Sequence, residues 1–320
     1  MDRPAWKRYA KVAVKVAVAV VVLAFVGRHV ARTWDDLRRP GKALHVEPAW
    51  VVAGAVLYVA GLAAFGAFFA RIMKASPTPV GTAAAVRAYV ISHLGKYVPG
   101  KAMVVVMRVG LVVPYGARPA TAAFATFYET LVMMAAGALL AAVGFGLGSR
   151  PVQVVPLGLA AGLAVAFLVV VDPRVFPGIS KLVTMPFPKV GPEAMPEFSR
   201  TLLGVGLLWS LLGWGLMGLS QVAVVRAVSP GGVAPGLWLL VTASVALATV
   251  AGFVVAVLPG GLGVREGVLM ATLEPALGRD RAVVAALALR LTWVVAEALA
   301  AAALAVVRPK VPAPGDAPHD

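Results

Sequence analysis

Residues 257–270 read VLPGGLGVREGVLM. An apolar run that has met no charge since Arg226 stops at Pro259-Gly260-Gly261, and Arg265 and Glu266 follow within a few residues. Proline removes a backbone donor and glycine exposes the chain, so a helix ends there. The next helix then begins with free N–H groups, the positive end of its dipole and an arginine, a combination that attracts phosphate. Gly260, Gly261 and Gly263 allow close approach of a ligand to the backbone. No Gly-Lys-Ser/Thr ending is present, so this is not a nucleotide-binding P-loop. A second break of the same kind lies at Pro99-Gly100, with Lys101 and Arg108 after it.

Three further charges lie inside apolar stretches: Glu129, Arg290 and Glu297. A charge at the centre of a membrane helix costs about 2.5–3.5 kcal/mol, so each needs a partner or a wet cavity. Arg290 and Glu297 are seven residues apart, on nearly one helix face but about two turns distant. Arg290 with Glu129, and Glu297 with Arg265 or Arg108, are the expected pairings. Lys101, Arg108, Glu129, Arg265, Glu266, Arg290 and Glu297 are the candidate substrate-binding residues. His93 is read as a packed or interfacial histidine. Asp35-Asp36 is the one adjacent acidic pair and the chain has four histidines, so no metal site, catalytic constellation or cofactor is expected.

The elements that must position these residues are membrane helices. The 320-residue chain is 60% hydrophobic and 13% charged, about half the charge of a soluble domain. Long uncharged runs alternate with short basic segments, the pattern of a polytopic helical membrane protein rather than a barrel. Runs long enough to cross fall at 11–27, 48–70, 119–147, 151–171, 201–227, 235–258 and 282–307. Segments 80–113 and 259–275 are too short or too broken and read as re-entrant half-helices, tolerated only inside protein or along a wet cavity. The fold class is therefore all-α, about seven to eight transmembrane helices plus two broken re-entrant half-helices. One membrane domain covers 1–307, and 308–320 is a Pro-rich tail expected to be disordered.

The net charge of +15 comes from Lys and Arg at the ends of apolar runs, where they anchor helices and set topology. Nucleic acid is therefore not an expected partner. The absence of cysteine excludes disulfides and thiolate metal sites. Arg3, Lys7, Arg8, Lys11 and Lys15 place the N-terminus in the cytoplasm of a bacterial or archaeal cell, with 11–27 a retained first helix. Segment 172–200 is then cytoplasmic as well.

The two breaks share their punctuation. Pro114 and Arg118 follow Pro99 at fifteen and nineteen residues; Pro275 and Arg279 follow Pro259 at sixteen and twenty. A long Ala-rich helix comes next in both, with Glu129 in one and Arg290 in the other. This predicts a structural repeat with halves near 80–147 and 240–307, parallel or inverted. Interrupted segments at matching positions point to a substrate path near the midplane.

PGGLGVREG at 259–267, at the end of a membrane helix and ahead of an Arg/Glu-bearing one, resembles the transmembrane region of lysylphosphatidylglycerol synthases and their stand-alone, flippase-like relatives. HLGKYVPGK at 93–101, with Arg108, is similar to that family's first half-motif. The resemblance covers about residues 10–307 and puts Pro99, Gly100, Lys101, Pro259, Gly260, Gly261, Gly263, Arg265 and Glu266 at motif positions. It implies translocation of a phospholipid or aminoacylated phospholipid between leaflets, without the soluble aminoacyl-transferase domain. Membrane lipids are the expected partners, with a separate lipid-modifying enzyme as an additional one. The alternative is a membrane enzyme or accessory subunit in glycolipid, polyisoprenyl-phosphate or envelope lipid metabolism.

Overall fold

The computed structural model describes residues 46–98, 102–148, 153–184, 195–229, 231–255, 263–307 and 309, together with Ala24 and Arg28; 181–184 are described by backbone alone. Among these, all regular structure is helical: α1 (Pro48–Lys74), α2 (Thr82–His93) continuing as a 3-10 turn (Leu94–Tyr97), α3 (Ala102–Val112), α4 (Pro119–Leu147), α5 (Val154–Val171), α6 (Phe176–Thr184), α7 (Arg200–Val228), α8 (Trp238–Val254), α9 (Val264–Leu277) and α10 (Arg279–Val306). Six helices among the described residues are long and apolar enough to cross a membrane: α1, α4, α5, α7, α8 with its preceding turn, and α10. The chain is an all-α integral membrane protein. The expected crossing at 11–27, Ala24 apart, and the expected tail at 308–320, Pro309 apart, lie outside the described residues.

Lipid tails are as apolar as leucine, so helix association here relies on close packing rather than on expulsion of water. The α1–α7 pair shows how. A Cβ on Gly54 would meet the Val224 side chain at 2.9 Å, and one on Gly61 the Gly213 carbonyl at 3.1 Å. The rings of Phe65 and Phe68 fill the slots left by Gly213 and Gly206, which a Cβ would enter at 2.4 and 2.2 Å. The pairing of 54 with 220–224, 61 with 213–217 and 68 with 206 makes the two helices antiparallel. On α4, Gly137 likewise admits the indole of Trp214, whose Nε1 donates to the Met133 carbonyl at 2.9 Å.

Two ends of the bundle follow from these contacts. At the upper end α1 starts beside the end of α7, where Glu47 N donates to the Ala227 carbonyl at 2.9 Å. The start of α8 lies there too, since Cβ atoms on Gly144 or Gly148 would run into Leu239 or Ala243. At the lower end Arg118 N donates to Thr78 Oγ1 at 3.1 Å. Arg87 Nε donates to the carbonyls of Leu304 and Val307, closing the C-terminus of α10 at that end.

The two shorter units are hairpins, and they enter from opposite ends. α2 comes in from the lower end and α3 returns beside it: Arg108 Nε donates to Ser92 Oγ at 3.0 Å. The backbone of Val104 lies so close to residue 95 that a Cβ there would meet its nitrogen at 2.8 Å, which explains a glycine. α8 comes in from the upper end and α9 returns. Arg265 Nη2 donates to Thr249 Oγ1 at 3.1 Å, while at the far end of α9 the Thr272 carbonyl accepts from Gln153 Nε2 at 3.2 Å. Residues 235–254 are long and apolar enough to cross a membrane, in line with the crossing read over 235–258, and α9 then runs back beside α8 toward the end at which α8 begins.

Candidate functional site

Described residues beside both breaks, Lys96 in one hairpin and Arg265 and Glu266 in the other, meet the middle of α10. Trp293 lies half-way along that helix, and Arg290, Trp293 and Glu297 occupy one of its faces at spacings of three and four residues. From the lower hairpin, Lys96 Nζ donates to Glu297 Oε1, and Tyr58 on α1 donates its hydroxyl to the same oxygen. Lys96 Nζ is 3.3 Å from the Tyr58 hydroxyl and 5.1 Å from the centre of the Tyr97 ring. His93 Nε2 is 3.9 Å from Glu297. From the upper hairpin, Glu266 forms an ion pair with Arg290.

The start of α9 explains why Glu266 is held there. Gly263 takes a positive φ of 80° as the residue before the helix, a conformation glycine adopts without a steric cost. Its N–H donates to Glu266 Oε2 at 2.8 Å, so the side chain three residues on caps a backbone donor the helix cannot satisfy. Arg265, the next residue back, lies over the ring of Trp293 at 5.4 Å. Among the described residues no carboxylate reaches Arg265, and its guanidinium donates to the Thr249 hydroxyl. Arg265 and Glu297, expected as a pair, do not form one.

Lys96, Tyr97, Arg265, Glu266, Leu269, Ala286, Leu289, Arg290 and Trp293 line a cleft of about 360 Å³, its open mouth included. It carries three cations and one carboxylate on its wall, with Glu297 directly behind Lys96. Arg290 and Glu266 are each partly accessible, whereas Glu297 is fully buried. Trp293 is fixed from behind: its Nε1 donates to Ser220 Oγ at 2.9 Å, and that hydroxyl donates to the Gly54 carbonyl at 2.7 Å.

Arg108 and Glu129 lie elsewhere, in a sealed cluster. Arg108 Nη1 is 2.9 Å from Glu129 Oε2, and Tyr89 donates its hydroxyl to Glu129 Oε1 at 3.1 Å. The guanidinium lies over the rings of Tyr89 and Phe69, at 4.0 and 5.1 Å. Both charged residues are 1% exposed or less, and neither touches the cleft. The expected pairings of Arg290 with Glu129 and of Glu297 with Arg108 are therefore replaced by Arg290 with Glu266, Arg108 with Glu129 and Glu297 with Lys96. Short separations won two of the three places: Glu266 and Arg290 lie on consecutive helices, and Arg108 faces the helix that follows its own hairpin.

Of the residues singled out from sequence, Arg265, Glu266 and Arg290 come together in the cleft, with Glu297 behind it and Gly263 at its edge. Pro99, Gly100, Lys101, Pro259, Gly260 and Gly261 lie outside the described residues. Tyr58, Thr249, Ser220 and Trp293 were missed. A usable signal existed for two of them: Tyr58 and Trp293 sit in mid-span, whereas membrane aromatics gather at the interfaces.

The transmembrane region of lysylphosphatidylglycerol synthase has a family profile that matches residues 12–301, nearly the whole chain. The protein belongs to that family. No individual curated protein matches it. Membership ties this family member to membrane lipid metabolism or transport.

Proposed function

We propose that the protein moves a phospholipid headgroup across the membrane through the cleft on α10. The observation that carries this reading is the meeting of two hairpins, from opposite ends, at a wall of three cations beside the middle of α10. A polar headgroup crossing hydrocarbon needs its charge matched there, since unpaired charge at that depth is costly. Arg265 is the guanidinium best placed to bind a lipid phosphate, because among the described residues no carboxylate reaches it. Arg290 and Glu266 border the same space, and Lys96 with Glu297 forms its floor. Arg108 and Glu129 serve instead to bind α3 to α4. The hairpin-plus-helix units α2–α4 and α8–α10 run in opposite senses, which supports reading the two sequence halves as an inverted repeat around the lipid path.

Charge supports an orientation. At the lower end Arg71, Lys74, Arg118, Arg174 and Arg200 are exposed, against Asp172 and Glu197. Among the described residues at the upper end, Arg226, Arg279 and Arg281 are offset by Glu47, Glu274 and Asp280. The positive-inside rule then puts the lower end in the cytoplasm.

The test is transbilayer movement of fluorescent phosphatidylglycerol, lysyl-phosphatidylglycerol and a polyisoprenyl phosphate in vesicles containing the purified protein. Dithionite added outside bleaches each label only as it reaches the outer leaflet. The expected result is fast loss of protected phospholipid label, slowed about tenfold by Arg265→Ala, which corresponds to one charge-assisted hydrogen bond of roughly 1.5 kcal/mol. Vesicles in which no lipid loses its protection would overturn the proposal.

A further inference from the structure

The residue that keeps Arg265 free is not a charge but a ring. Four groups form a chain of contacts across the bottom of the cleft: Glu297, Tyr58, Trp293 and Arg265. Tyr58 donates its hydroxyl to Glu297, its ring is stacked on Trp293 with centroids 4.3 Å apart and planes 17° from parallel, and the Arg265 guanidinium lies over that same indole. Opposite charges in a site of low dielectric attract strongly, so an arginine and a buried carboxylate joined by two side chains would collapse into an ion pair if nothing stood between them. The indole is held against such a collapse by its bond to Ser220, which is itself tied to the Gly54 carbonyl.

The structure assigns Trp293 the role of a spacer: it is a positioning residue that keeps Arg265 from pairing with Glu297 and so leaves the guanidinium available to a lipid phosphate. The inference rests on the proposed translocation site and deepens it. Trp293 offers Arg265 a cation–π contact that orients it without neutralising it. Glu297 meanwhile spends its charge on Lys96 and the Tyr58 hydroxyl. A carboxylate in place of the ring would hold Arg265 as firmly and remove it from use.

A double-mutant cycle separates this role from a merely structural one. Binding of dioctanoyl-phosphatidylglycerol to the detergent-solubilised full chain is measured for wild type, Trp293→Ala, Glu297→Gln and the double variant, with Trp293→Phe alongside. Trp293→Ala should weaken binding about tenfold, while Trp293→Phe, which keeps a ring face, stays within a few-fold of wild type. Glu297→Gln should restore the Trp293→Ala variant far more than it changes the wild type, because it removes the partner that captures Arg265. If Glu297→Gln has the same effect on both backgrounds, or if Trp293→Ala binds as wild type does, the spacer role is wrong. Should Trp293→Ala fail to fold, Trp293→Thr, which likewise removes the ring and most of its bulk, takes its place in the cycle. A wild-type chain that binds no phosphatidylglycerol would overturn the translocation reading, and with it the inference; an additive cycle on a binding wild type overturns the spacer alone.

Discussion

Replacing Glu129 by glutamine should destabilise the bundle sharply, and replacing its partner as well should repair it. Arg108 is 1% exposed and Glu129 is fully buried, so the single variant leaves a guanidinium in the interior without its carboxylate. Some compensation stays in place. Arg108 keeps the Ser92 hydroxyl at 3.0 Å and the rings of Tyr89 and Phe69, and the glutamine carbonyl still accepts from Tyr89. Breaking a buried pair costs about 3–5 kcal/mol; with these remnants the lower figure applies, about 3 kcal/mol, or roughly two decades in the unfolding constant. Glu129→Leu removes the Tyr89 acceptor too and should reach the upper figure. The double variant Arg108→Met, Glu129→Leu removes both charges. Ser92 retains its bond to the Tyr89 carbonyl, 3.0 Å long, so this variant should return to within about 1–2 kcal/mol of wild type, as apolar replacements of buried pairs do. Unfolding in mixed micelles with rising SDS, followed by tryptophan fluorescence, reads all three. A Glu129→Gln variant as stable as wild type, or a double variant no better than the single ones, would refute the reasoning. The double variant should also keep lipid movement, since neither residue touches the cleft.

Three other outcomes are expected. Gly95→Ala puts a methyl 2.8 Å from the Val104 nitrogen, backbone against backbone, and should cost about 1–3 kcal/mol by prising the lower hairpin apart; the same SDS titration measures it. Arg87→Ala strips the carbonyls of Leu304 and Val307 of their donor. It should lower stability by about 1.5–3 kcal/mol and speed proteolysis near residue 307, seen as a shorter product on a gel. Glu266→Gln weakens the hold on Arg290 and should increase the affinity for anionic lipid several-fold while destabilising the start of α9, which a binding titration and a melting curve report separately.

The spans were legible because length and hydropathy determine them: α1, α4, α5, α7 and α10 lie within a few residues of the runs read from sequence. The interruptions were legible for a local reason. Described helix stops after Tyr97 and resumes at Ala102, and stops after Val254 and resumes at Val264, bracketing Pro99-Gly100 and Pro259-Gly260-Gly261. The side to which each hairpin returns was not legible, because that depends on which neighbours accept it. Partner choice was hidden for the same reason: Lys96 and Glu297 stand 201 residues apart, and nothing in the spacing of either says that α1 will supply a tyrosine to join them. The site was legible where chemistry is local, in Gly263, Arg265 and Glu266. It was opaque where an uncharged residue acts by occupying space, as Trp293 does.

A last consequence concerns α10. Glu297 holds the tip of the lower hairpin and Arg290 that of the upper one, from a single face of one helix, while Arg87 clamps that helix at its C-terminus. A helix works as a stiff shaft over this distance, so turning it by one residue's worth, about 100°, would unseat both tips in the same movement. The two hairpins thus share an axle: no twist of α10 releases one and leaves the other held, and any independent motion has to come from the hairpins themselves.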